Sequence, residues 1–195
     1  MKSNLIALLL GLLTVLWIGC SSSESDTVDT TNTNMDQITT TAQTPTDQSE
    51  ATKADHPAVY VSAIDLDGNT HQFAEWIGQK PVVINFWGTW CPPCRREIPG
   101  LVRLYDEYHE RGIEIISLAI ERQASPAQVK QFAERAGMTW VQLMANEDVL
   151  RAFGYDGAVP LTVFLDKNGR EVARHRGGRP YEVFKQDFKK LAAGI

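Results

Sequence analysis

The chain has 195 residues, of which 43% are hydrophobic and 22% charged, enough apolar material to bury a core and to exclude disorder throughout. Its net charge of −5 lies in residues 1–55, where two Lys face seven Asp or Glu; residues 56–195 hold 17 residues of each sign. A neutral domain behind an acidic segment argues against nucleic-acid binding, and three Cys (20, 91 and 94) are too few for a disulfide scaffold or a four-Cys zinc site.

Met1 and Lys2 precede an apolar run from Leu5 to Ile18. As a helix this run spans about 21 Å, short of a hydrocarbon core of about 30 Å, so residues 1–19 read as a signal peptide. The run ends in Leu16-Trp17-Ile18-Gly19-Cys20, followed by three Ser. This resembles a bacterial lipoprotein lipobox, although Trp17 stands where Leu is usual. The resemblance implies export, cleavage before Cys20 and a diacylglyceryl group on its sulfur. The domain is then expected on the periplasmic or outer side of a bacterial membrane. Residues 20–55 are rich in Thr and Ser and lack periodicity, as expected of a disordered tether with a root-mean-square span of about 33 Å.

The globular part is assigned to residues 56–195. A strand is expected over Val59–Leu66, a hairpin turn at Asp67-Gly68 and a return strand over Thr70–Phe73. Pro81–Trp87 is nearly continuously apolar, as a central strand requires. A helix from Pro92 to Glu110 closes at Gly112, and a strand follows over Ile113–Ile120. Ser125, Pro126 and Gln128 form a helix start, and that helix stops at Gly137. Next come a short strand over Val141–Met144, a short helix over Glu147–Phe153, and two strands over Leu161–Leu165 and Glu171–His175. A final helix carries Val183, Phe184, Phe188 and Leu191 on one side. The alternation implies a three-layer α/β domain with a mixed sheet.

Cys91 and Cys94 are one helical turn apart, where a buried strand gives way to a helix, in the segment Trp90-Cys91-Pro92-Pro93-Cys94. At the helix N-terminus, free N–H groups and the helix dipole favour a thiolate at Cys91, with Arg95 and Arg96 adding positive charge. Cys94 is one turn in and should face the core. Cys91 is therefore the expected nucleophile and Cys94 the resolving thiol. Pro92 and Pro93 fix the loop. A structural disulfide and a zinc half-site are competing readings, but a four-residue loop stabilises little and no second Cys pair exists.

The run Asn85-Phe86-Trp87-Gly88-Thr89-Trp90-Cys91-Pro92-Pro93-Cys94-Arg95-Arg96-Glu97-Ile98-Pro99 resembles the active-site segment of the membrane-tethered thioredoxin-like proteins of the TlpA/ResA group. The resemblance covers residues 58–193. It implies a thioredoxin-like domain with an N-terminal β-hairpin and an inserted helix–strand unit. It also implies a helix-kinking Pro99 and a cis bond between Val159 and Pro160, beside which a substrate chain pairs with the Val159 backbone. Trp90, Pro92, Pro93, Val159 and Pro160 become the substrate-facing residues. Thioredoxin's buried strand Asp is replaced here by Asn85, and Glu97, three residues after Cys94, is the carboxylate implicated in proton handling.

By the same resemblance the protein acts on protein disulfides, apocytochrome c among them, takes electrons from a membrane thiol carrier, needs no cofactor or metal, and works as a monomer anchored to the bilayer. Two alternatives share the fold. A peroxiredoxin-like peroxidase wants Thr three residues before its Cys, where this chain has Gly88. A copper-chaperone-type protein spaces its Cys by three residues, where this chain has two. His56, His71, His109 and His175 show no ligand spacing and are expected at the surface, as is the cluster Arg170, Arg174, Arg176 and Arg179.

Overall fold

A computed structural model describes residues 56–194. The leader at 1–19, the lipidation site at Cys20 and the tether at 20–55 lie outside the described residues. Among the described residues no helix is long and apolar enough to cross a membrane.

The domain runs through β1 (Ser62–Asp65), β2 (Thr70–Gln72), β3 (Val82–Trp87), α1 (Pro92–Tyr108), β4 (Glu114–Ala119) and α2 (Pro126–Arg135). It continues through β5 (Val141–Met144), α3 (Glu147–Ala152), β6 (Leu161–Leu165), β7 (Glu171–Arg176) and α4 (Tyr181–Ala193). The seven strands form one sheet in the order β2-β1-β5-β4-β3-β6-β7. β3, β4 and β5 are mutually parallel neighbours, whereas β6 and β7 return antiparallel and the β1–β2 hairpin closes the other edge. This is the expected mixed sheet, with the hairpin at one end and α2–β5 as the added helix–strand unit.

Period-2 alternation in β3 divides the core. Val83 and Trp87 face α1, α2 and α4, where Leu101, Leu104, Val129, Phe184 and Phe188 pack. Val82, Ile84 and Phe86 face the opposite layer, built by α3 and two short 3-10 turns through Val149, Phe153, Phe73 and Ile77. Asn85 shares its phase with Val83 and Trp87. A polar side chain is thereby placed, 1% exposed, under α1.

Three of the boundaries that differ from the sequence reading have a clear local cause. The expected strand over Val59–Leu66 begins as a 3-10 turn, Pro57–Tyr60, because the His56 ring accepts the Ala58 N–H at 3.1 Å and Pro57 presets the first turn. Phe73 leaves the hairpin to start a second such turn, held by a capping box between Gln72 and Glu75. α1 ends at Tyr108, and a tighter turn carries the chain to Gly112, whose φ of 86° suits glycine.

The hairpin is tied by one carboxylate. Asp65 accepts from the backbone N–H groups of Asp67 and Asn69, both at 2.9 Å, and pairs with His71 Nε2 at 3.0 Å. These bonds, that from the Asn69 side chain foremost, hold Asp65 well below the ordinary carboxylate range and raise the His71 pKa in turn. His175, expected at the surface, is tucked against Phe164 and Phe184, and its Nε2 lies 2.7 Å from Asp187, which is itself 5% exposed.

Candidate active site

The dithiol is positioned by the break between β3 and α1. β3 ends at Trp87, the chain turns at Gly88, and Cys91 becomes the residue that caps α1. Pro92 and Pro93 occupy the first helical positions, where a missing N–H costs nothing. Cys91 and Cys94 are joined by a disulfide across Cα atoms 5.3 Å apart. Cys91 Sγ also accepts the Cys94 backbone N–H at 3.2 Å, so the helix N-terminus is aimed at that sulfur. Cys94 is fully buried and Cys91 is 2% exposed. Cys91 caps α1 and Cys94 lies one turn in, and both belong to the same buried cluster.

Glu97 lies on the core-facing stripe of α1, with Cys94, Ile98, Leu101 and Leu104. It is 6% exposed. Its Oε1 accepts from Asn85 Nδ2 at 3.2 Å. Asn85 Nδ2 also donates to Thr162 Oγ1 at 3.1 Å on β6, and Ser117 on β4 completes a polar chain to the Trp140 indole at 2.8 Å. Burial raises the Glu97 pKa from 4.5 to about 7; the Asn85 bond and the nearby backbone and guanidinium of Arg179 pull the other way. The Arg179 amide does not reach hydrogen-bond geometry, so Glu97 Oε2 is buried without a protein partner. That oxygen borders a groove of about 510 Å³ between Pro93, Arg96, Arg179 and Tyr181. Gly178 forms its wall so closely that a Cβ there would lie 3.4 Å from Pro93 Cβ.

The remaining expected residues fall around the same corner. Trp90 is 41% exposed beside Cys91. The Val159–Pro160 bond is cis, and Val159 packs against the cluster that contains both Cys. Pro99 lies inside α1 and has no N–H to donate to the turn above it.

Two parts of the site were not singled out from sequence. Arg179, grouped with the arginines of a solvated strand, instead follows β7 into the groove at Glu97, while Arg174 and Arg176 pair with Glu171 and Asp156. Glu121 and Arg122, just past β4, close over Thr89 and Trp90. The signal for both is topological: loops at the ends of strands beside a parallel core gather where ligands bind.

Residues 36–194 match the Redoxin family. Thiol-disulfide oxidoreductase ResA of Geobacillus thermodenitrificans is 39% identical over 128 residues, which are 65% of this chain and 71% of that protein. A thiol:disulfide interchange protein of the thioredoxin family from Chlorobium tepidum TLS superposes with a TM-score of 0.61 at 31% identity, over 70% of this chain and 95% of that one. The pneumococcal exposed lipoprotein thioredoxin of Streptococcus pneumoniae shares the fold, with a TM-score of 0.56 at 22% identity over 67% and 98% of the two chains. With a disulfide-forming Cys pair capping the first long helix of this sheet, the chain belongs to the Redoxin family and is a thioredoxin-fold thiol–disulfide oxidoreductase similar to ResA.

Proposed function

We propose that the protein is exported, held to a bacterial membrane through Cys20, and reduces disulfides in protein substrates. Cys91 thiolate attacks one sulfur of the substrate disulfide; the S–S bond breaks and the other substrate sulfur leaves as a thiolate. Cys94 then gives up its proton to Glu97 and attacks Cys91 Sγ. The second substrate sulfur leaves, and two electrons have passed from the dithiol to the substrate. A membrane thiol carrier restores the dithiol by the reverse exchange.

The observation that carries this reading is the pairing of a fully buried Cys94 with a buried carboxyl group one turn further along α1, whose pKa of about 7 suits a proton acceptor at working pH. The Cys94 N–H directed at Cys91 Sγ supports Cys91 as the attacking sulfur. The lipobox and the leader support export and anchoring, and the haem-attachment Cys pair of apocytochrome c is the proposed substrate. Val159 and Pro160, Trp90, Pro92 and Pro93 form the surface offered to it.

Trapping tests the roles. Cys94→Ser accumulates mixed disulfides through Cys91, with an oxidised apocytochrome c peptide as the probe, because attack proceeds and resolution cannot. Cys91→Ser accumulates few or none. Equal trapping by both variants overturns the assignment.

A further inference from the structure

The loop that presents Cys91 is held from one side by a single short segment. Glu121 Oε1 accepts the Thr89 backbone N–H at 2.7 Å, and Glu121 Oε2 accepts the Thr89 hydroxyl at 2.9 Å. Trp90 Nε1 donates to the Ile120 carbonyl at 2.9 Å, and the Arg122 guanidinium stacks 4.3 Å from the Trp90 ring. Ile120 is anchored in turn by its own N–H on the Trp87 carbonyl at 2.8 Å. The approach is tight enough that a Cβ at Gly88 would sit 2.7 Å from Trp90 Nε1 and 2.8 Å from the Ile120 carbonyl oxygen. Three successive residues, 120 to 122, therefore hold the two residues that lead into the Cys.

The disulfide and the Cys94 N–H on Sγ fix Cys91 from its C-terminal side, and its own N–H bonds back to the Gly88 carbonyl of the loop at 3.1 Å. On reduction the disulfide constraint is gone. The contacts that do not depend on it are the Cys94 N–H on Sγ and the loop before Cys91, which Glu121 ties to the end of β4 through two bonds to Thr89.

We propose that Glu121 is a positioning residue for Cys91, clamping the Thr89–Trp90 loop so that the reduced sulfur stays on the helix N-terminus. This rests on Cys91 being the attacking thiol. The clamp works by geometry, and its electrostatic sign is opposite to its effect. A negative charge near a thiol disfavours the thiolate, whereas a sulfur held on helix N–H groups is favoured as thiolate. The other charged groups around this corner are Arg122 on Trp90, Arg95 over Phe132, and the buried Glu97.

That opposition gives the test its discrimination. The reduced full-length protein is alkylated with iodoacetamide across pH 5–10, and peptide mass mapping follows Cys91 separately from Cys20 and Cys94. Glu121→Ala should move the Cys91 titration midpoint upward by about one unit and slow its alkylation about tenfold at pH 6. Glu121→Gln should leave the midpoint at or slightly below the parent's, since its amide oxygen still accepts the Thr89 N–H, its NH₂ can donate to the Thr89 hydroxyl, and the charge that disfavours the thiolate is gone. Thr89→Val, which deletes only one of the two bonds, should shift in the same direction by less. If both Glu121 variants move the midpoint downward, Glu121 acts as a charge and the clamp is wrong. If Glu121→Ala lowers the melting temperature and leaves the Cys91 midpoint in place, its role is structural and the proposal falls. Preferential labelling of Cys94 in the parent would overturn the underlying thiol assignment, independently of what Glu121 does.

Discussion

Asn85 Nδ2 lies 3.2 Å from Glu97 Oε1 and is the one side-chain donor to that carboxyl group among the hydrogen bonds of the described residues. The Asn stands on β3, and the Glu on α1 twelve residues later, both facing the layer that holds the dithiol. Asn85 carries no titratable proton, yet its donor favours the ionised form of Glu97, which does. The fold thus separates the two tasks: Glu97 holds the titratable proton, and Asn85, Thr162 and Ser117 orient it.

Asn85→Asp should couple a second carboxyl group to Glu97 at nearly the same separation. Two carboxylates this close cannot both ionise cheaply, so the pair would titrate as a unit, with one apparent pKa above that of Glu97 in the parent. The variant should lose more stability at pH 8 than at pH 5, by roughly 2 kcal/mol or more. Urea unfolding at the two pH values measures this. An equal loss at both would show that the cost comes from the broken Thr162 and Ser117 bonds rather than from charge.

Glu97 also makes the domain's stability fall with rising pH. Its folded pKa of about 7 lies above the ordinary 4.5, so between those values the folded state holds a proton that the unfolded state has released. Stability contributed by this group is full below pH 4.5 and is lost as pH rises to about 7, by up to about 3 kcal/mol. Glu97→Gln removes that dependence. Thermal melts of the oxidised protein should show the variant gaining on the parent from pH 4 to pH 8, with the gain confined to the window between the two pKa values. A constant difference across pH would place the Glu97 pKa near its ordinary value.

Much of this site was legible in the sequence because its chemistry is local. Cys91, Cys94 and Glu97 sit within two turns of one helix, and their spacing alone places Cys94 and Glu97 on the buried stripe. The long helices and the central strands follow from apolar periodicity and from capping residues such as Ser125 with Gln128. The partners that come from elsewhere in the chain were not legible in that way. Glu121 meets Thr89 across 32 positions, Asn85 meets Thr162 across 77, and Arg179 reaches Glu97 from the loop after β7. An acidic residue after a strand reads as solvated until the sheet order sets its loop against another. The misplaced start of β1 has a local cause: the ring of His56 acts as a helix cap, a role more usual for Ser, Thr, Asn or Asp.

Anchoring through Cys20 predicts a clean separation of location from chemistry. Cys20→Ala should release the protein from membranes into the soluble fraction and leave the insulin-disulfide reductase rate of the domain within about twofold of the parent. Among the described residues the site is built from residues 85–181. Retention of the variant on membranes after a high-salt wash would count against the lipobox, since residues 1–55 are net acidic and residues 56–195 net neutral, and neither offers a net charge that binds anionic lipid.

The exchange reaction itself should carry the imprint of Glu97. A fully buried thiol resists ionisation because its thiolate loses hydration, so Cys94 needs an acceptor close by at the moment it attacks the mixed disulfide. Glu97 is protonated below pH 6 and cannot accept; above pH 7 it is ionised and can. Stopped-flow resolution of a preformed Cys91 mixed disulfide should therefore accelerate through pH 7 in the parent. Glu97→Gln keeps the shape of the side chain and an acceptor for Asn85 while removing the proton site. Its rate should join the parent's at pH 5 and fall about tenfold or more behind it at pH 8, within the lower range of general-base effects. With a thiol and a carboxyl group one helical turn apart, the inflection belongs to the pair rather than to Glu97 alone. Superimposable profiles would mean that Cys94 loses its proton to solvent and that Glu97 serves only to fill the turn beneath it.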